Sequence, residues 1–192
     1  DKLSFMHVKS RNDGPKVWLT ACIHGDEIGG NAVVKEVFKK IKNKPLLKGE
    51  IYLFPLINKE GVKSLSRVIP STKEDINRLF PGNEKGSLGE RIAYKVFTEI
   101  KKTKPFLVLD LHNDWKNSIS YALIDKKTKR VHKKVFEKAK ILGMKSGLPF
   151  VLDNKDFEKT LTYNLMKDGI PAFALELGES IKINESNVAQ GV

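Results

Sequence analysis

Three short apolar runs, residues 17–23, 106–111 and 171–175, each lead into a side chain able to bind a metal or carry a proton. Runs of this length bounded by polar or turn residues read as buried strands. Open α/β sheets place their ligands beyond the carboxyl ends of such strands, so repetition of the pattern constrains both the fold and the position of the chemistry. The groups delivered are His24 and Glu27 after the first run, His112 after the second and Glu176 after the third.

The segments between the runs alternate in type. Residues 3–8 suit an edge strand, and Asn12-Asp13-Gly14-Pro15 a turn. From Ile28 to Ile41, the residues Ile28, Ala32, Val33, Val37, Phe38 and Ile41 recur at helical spacing, with Pro45 forbidding continuation. Glu50–Ile57 reads as another buried strand, with Pro55 near its end. The periodicity predicts helices over 87–101, 130–142 (with Gly143 as its cap) and 157–167, and strands over Ser118–Ile124 and Ala172–Gly178. The segment 58–86 is weakly periodic and carries Asn58, Arg67, Asp75, Asn77 and Arg78. It reads as a binding loop, a plain solvated loop being the alternative. This alternation implies an α/β chain whose sheet is flanked by helices on both faces, and residues 1–192 fit one domain.

Composition narrows the function. The net charge of +12 suggests nucleic acid, yet only five of the 35 basic residues are Arg (11, 67, 78, 91 and 130), and the lysines are dispersed over helical faces without aromatic interleaving. Base readout and bidentate phosphate contacts favour Arg, so neither nucleic acid nor a membrane is the expected partner; a small anionic substrate is. No apolar stretch approaches the ~18 residues of a membrane span. Asp1-Lys2-Leu3-Ser4-Phe5 lacks the blocks of a signal peptide, and the single Cys22 fits a reducing compartment, so a cytoplasmic location is expected. Cys22 itself reads as a small buried hydrophobe, and His7 and His132 as surface residues.

His24 and Glu27, three positions apart, would project together from the first turn of the following helix. A lone His-x-x-Glu is a weak signal. With His112 as third ligand it becomes the two-His, one-Glu set of hydrolytic zinc sites, which lowers the pKa of a bound water to about 7. Glu176 in so apolar a strand is either the carboxylate that moves the proton from water to the leaving group or half of a structural ion pair. Arg67 suits stabilisation of an oxyanion, and the adjacent Asn77 and Arg78 suit the grip of a substrate carboxylate. Asp110 either orients a ligand or makes a structural hydrogen bond.

Taken together, His24-Gly25-Asp26-Glu27, Asn58…Arg67, Asp75-Ile76-Asn77-Arg78-Leu79-Phe80-Pro81-Gly82, Asp110-Leu111-His112-Asn113 and Leu175-Glu176-Leu177-Gly178 resemble the succinylglutamate desuccinylase/aspartoacylase family of the zinc carboxypeptidase superfamily. The resemblance implies a mixed-sheet, zinc-carboxypeptidase-like fold with Zn2+ on His24, Glu27 and His112. It further implies Glu176 as general acid/base, Arg67 polarising the scissile carbonyl, and Asn77 and Arg78 holding a carboxylate. The expected activity is hydrolysis of an N-acyl amino acid or similar small amide. The alternatives are a metallocarboxypeptidase acting on short peptides and a non-catalytic zinc or ligand-binding protein. Members of the family usually continue into a smaller β-rich domain; this sequence stops at what reads as the opening of a helix, as a truncated or a naturally short chain would.

Overall fold

β2 (Lys16–Ala21), β4 (Leu107–Asp114) and β7 (Ala172–Glu179) are the three apolar runs, and they lie side by side in parallel. Their carboxyl ends therefore reach one edge of the sheet together. A computed structural model, describing residues 3–114, 116–154 and 157–192, places them in a seven-stranded sheet of order β1-β3-β2-β4-β7-β5-β6. Asp1 and Lys2, part of the expectation about the N-terminus, lie outside the described residues. β3 (Glu50–Phe54) is parallel to β2, whereas β1 (Met6–Lys9) is antiparallel to β3 and β5 (Ser120–Ile124) antiparallel to β7. β6 (Phe150–Leu152), for which the sequence predicts no element, pairs parallel to β5 at the far edge.

The sheet is mixed, as expected, and helices cover both faces. α1 (Gly29–Asn43), α4 (Lys133–Met144) and α6 (Glu185–Gly191) pack on the face of Leu111, Phe173 and Leu177. α3 (Leu88–Lys102) and α5 (Leu161–Lys167) pack on each other over the opposite face. α3 starts at Ser87, whose hydroxyl accepts from the Glu90 amide while the Glu90 carboxylate accepts from the Ser87 amide. This reciprocal cap satisfies two amide donors that a helix start leaves open. Below the site, Trp18 is wholly buried, stacks on Tyr52 and Phe54, and donates its indole N–H to Thr103 at 2.8 Å. Burying a large apolar side chain contributes roughly 1.5–3 kcal/mol once its polar atom has a partner.

Several boundaries differ from expectation. The segment 58–86 is not continuous loop: it holds α2 (Lys59–Ser64) and a 3-10 turn at Ile76–Arg78, both too short to display a period. Gly143 lies inside α4, which ends at Lys145 in a right-handed conformation, so it is no cap; it allows close approach of the Phe150 ring. α5 begins at Leu161, after its Thr160 hydroxyl cap. His7 and His132 are exposed, as expected, His7 stacking on Tyr52 at 4.1 Å.

Candidate metal centre

β2 ends because Cys22 adopts φ 54°, a left-handed conformation that turns the chain out of the sheet. His24 and Glu27 sit in the turn that follows, with the Glu27 amide reaching the His24 carbonyl at 3.4 Å, and α1 begins only at Gly29. The expectation that both project from the first helical turn is thus corrected; a tight turn brings them together. Its path depends on Gly25, where a Cβ would lie 2.0 Å from the carbonyl carbon of Gly61 in α2. Cys22 is buried, as expected, and burial pushes its thiol up to about 12.

Glu27 is the hub. One carboxylate oxygen accepts from His24 Nδ1 at 2.7 Å and from Arg67 Nη1 at 3.1 Å. The other accepts from His112 Nδ1 at 2.7 Å and from the Asn113 amide at 3.1 Å. The ligand atoms of His24, Glu27 and His112, all three residues buried, lie within 4.8 Å of one another. His112 falls inside β4 rather than at its exit, because the strand continues to Asp114.

Each imidazole turns its remaining nitrogen to a carboxylate. His24 Nε2 lies 3.0 Å from Asp75, and His112 Nε2 lies 2.8 Å from Asp110, which also accepts the Thr20 hydroxyl at 2.6 Å. With Nε2–H held by a carboxylate, Nδ1 is in each ring the atom that would give up its proton to ligate an ion, and both rings present it toward Glu27. Burial opposes charge on these rings, but Asp110 and Glu27 outweigh it and hold His112 well above the usual range, while Asp75 and Glu27 do the same for His24. Burial alone would raise Glu27, yet the two imidazoles hold it well below the usual carboxylate range. Asp75 falls to about 2, the stabilising contacts with His24 and Arg67 overcoming its burial. Two imidazole nitrogens and a carboxylate this close, each ring backed by an acceptor, suit a divalent ion of borderline softness such as zinc.

Glu176 is the register partner of His112 on β7 and faces Tyr121 on β5. It opens onto a cavity of about 1080 Å³ that His24, Glu27, His112, Arg67, Asn77 and Arg78 also line. Burial pushes its carboxyl up to about 7, with Glu27 and Asp114 adding to the effect and His112 opposing it. Arg78 lies with its guanidinium carbon 4.6 Å from the Phe157 ring centroid and donates to the Asn77 carbonyl at 2.9 Å. Asn77 is buried and already half engaged: its side-chain oxygen accepts from the Leu161 amide at the start of α5, leaving the amide nitrogen as a donor. Asn58 caps α2 and holds the Arg67 carbonyl at 3.4 Å, so its contribution is to seat Arg67.

The role of Asp75 escaped the sequence reading, as did that of Asn113, which bridges the Gly29 amide and the Leu177 carbonyl. For Asp75 a local signal existed. As the cap of the 3-10 turn it accepts from the Asn77 amide, but its reach to His24 across 51 positions is visible only in the fold.

The family model for the succinylglutamate desuccinylase/aspartoacylase catalytic domain matches residues 13–192. An N-alpha-acetyl-L-2,4-diaminobutyric acid deacetylase from Halomonas elongata is 27% identical over a 194-residue alignment covering 94% of this chain and 55% of that protein. A succinylglutamate desuccinylase/aspartoacylase structure from Rhodobacter sphaeroides superposes with a TM-score of 0.83 at 23% identity, over 97% of this chain and 54% of the other. A metallo-carboxypeptidase from Burkholderia cenocepacia shares the fold at a TM-score of 0.77 and 14% identity, over 98% and 58% of the two chains. The chain thus spans about half the length of the curated relatives it matches. With that match over nearly its whole length, the chain belongs to the succinylglutamate desuccinylase/aspartoacylase family.

Proposed function

We propose that this chain carries the catalytic centre of a zinc-dependent amidohydrolase that releases the acyl group from an N-acyl amino acid or a similar small amide bearing a carboxylate. The observation that carries this reading is the gathering of His24, Glu27 and His112 within 4.8 Å, with Glu176 the register partner of His112 at the same cavity. His24 Nδ1, His112 Nδ1 and a Glu27 oxygen would hold the ion. A zinc ion there supplies Lewis acidity toward a carbonyl and water acidic enough to act near neutrality.

The remaining steps belong to the chain's own groups. Glu176 accepts the proton of the attacking water and returns it to the leaving amine as the C–N bond breaks, giving a carboxylic acid and an amine. Arg67, anchored by Glu27 and Asp75, offers a fixed cation to the oxygen that gains charge. Asn77 and Arg78 take the substrate carboxylate, the Arg side chain being already seated against Phe157. The Halomonas relative, an N-alpha-acetyl-L-2,4-diaminobutyric acid deacetylase, supports this substrate class.

The test is hydrolysis of a panel of N-acyl amino acids and short peptides, with chelator and with added metal. Turnover abolished by chelation, restored by zinc and confined to N-acyl amino acids is the expected result. Preference for peptides would make the chain a carboxypeptidase. One tightly bound zinc with no turnover of any amide would leave a binding protein, and activity indifferent to chelators and to Glu176→Ala would sink the proposal.

A further inference from the structure

The cavity does not end at the metal-ligand cluster; it continues down the sheet. On the face that carries His112, Glu176 lies beside Tyr121 and Ala174 beside Leu123. Asp125 is two residues further along the row of Tyr121 and Leu123, and all of these line the same cavity. Four residues of extended chain separate the level of Glu176 from that of Asp125, about 13 Å. The walls between are apolar at Leu123 and Ala174.

Asp125 is built into that wall. Its carboxylate accepts the Thr160 hydroxyl at 3.2 Å, and Thr162 also hydrogen-bonds to it. Thr160 caps α5, accepting from the Tyr163 amide, so the hydroxyl that meets Asp125 is held by a helix start. These contacts supply hydrogen bonds but no charge: among the described residues no Lys, Arg or His forms an ion pair with Asp125. Burial pushes its carboxyl up to about 6, with Asp153 and Asp110 adding to the effect against the two threonines. A carboxylate in a ligand cavity with no ion-pair partner among the described residues favours a cation supplied by the ligand.

We infer that this lower part of the cavity is a side-chain subsite for a cationic amino acid, whose ammonium or guanidinium group meets Asp125. Assigning the space to the amine portion of the substrate rests on the deacylase reading. The reach matches a long side chain. From a carbonyl carbon beside Glu176, an extended lysine places its ammonium nitrogen roughly 9 Å away, and a hydrogen bond of about 3 Å completes the distance. Acidic side chains are disfavoured there, since a second carboxylate would face Asp125 across a poorly solvated gap.

Calorimetric binding of Nα-acetyl-L-lysine, its uncharged counterpart Nα-acetyl-L-norleucine and Nα-acetyl-L-glutamate, to the zinc-loaded and the metal-free protein, tests the inference. The lysine derivative should bind roughly 10- to 100-fold more tightly than the norleucine derivative. Asp125→Asn should erase that difference while leaving the norleucine affinity unchanged. Equal affinities in the parent protein, or a preference that survives Asp125→Asn, would overturn it. If Asp125→Asn does not fold by circular dichroism, Asp125→Glu, one methylene longer, should move the preference toward Nα-acetyl-L-ornithine; an unmoved ranking would count against the subsite. Hydrolysis followed in parallel separates the two ideas. A charge preference in binding without turnover supports the subsite and removes the deacylase reading, whereas turnover without a charge preference removes the subsite alone.

Discussion

At the scale of the residue, the centre is organised by what stands behind the two imidazoles. Asp75 and Asp110 each face an Nε2 nitrogen, fixing which nitrogen points to Glu27. Asp110→Asn and Asp75→Asn should each weaken zinc binding by roughly 10- to 100-fold, measured by competition with a chromophoric chelator. Unchanged affinity in both variants would mean that the two carboxylates only fill space. Glu176 touches neither imidazole in the hydrogen-bond network, so its proposed role predicts a different pattern. Glu176→Gln should lower kcat by roughly 10²- to 10⁴-fold with zinc content close to parental. Loss of the metal in that variant would reassign Glu176 to the ligand set. The sequence named seven site candidates, His24, Glu27, Arg67, Asn77, Arg78, His112 and Glu176, and left the choice between readings of Asp110 open, because its 2.8 Å contact with His112 is visible only in the fold.

At the scale of the element, what was legible followed the strength of local signals. The three buried strands are unbroken apolar runs and α3 is periodic and capped, and each was anticipated within a few residues. β6 and α2 were missed because three exposed or half-exposed strand residues and six helical ones carry no readable period. Short elements here do positional tasks. α2 carries Gly61 against Gly25, and its cap Asn58 holds the Arg67 carbonyl. Ser87→Ala removes the α3 cap, with an expected loss of about 1 kcal/mol in urea unfolding and little change in KM, since α3 contributes no residue to the cavity of His24, His112 and Glu176. Asn58→Ala should cost a similar amount of stability but raise KM or lower kcat as well, because it loosens both α2 and Arg67. Kinetics identical to the parent would show that Arg67 is seated by Glu27 and Asp75 alone.

At the scale of the whole molecule, the candidate ligands come from segments some 85 positions apart, Glu27 in the turn after β2 and His112 in β4. An ion bound across them ties the turn to the sheet, so zinc should raise Tm in a concentration-dependent way, and His112→Ala should abolish the rise. The half-buried Asp125 sets a pH dependence of the opposite sense to that of a salt-bridged acid. Its folded-state carboxyl, near 6, binds a proton more tightly than an unfolded Asp. Its contribution therefore favours the fold below about pH 4 and is lost as pH rises through about 6. Urea midpoints across this window should fall with pH more steeply in the parent than in Asp125→Asn, and parallel profiles would refute that assignment. What the sequence determined by itself is the set of buried strands and the chemical identity of the groups at their ends, because apolar runs and ligand residue types are local properties. That the three runs would be adjacent and parallel, that Asp75 would cross to His24 and that the cavity would descend to Asp125 were decided only by the tertiary structure. Strand order, register and long-range hydrogen bonds are relations between distant residues that no local pattern encodes.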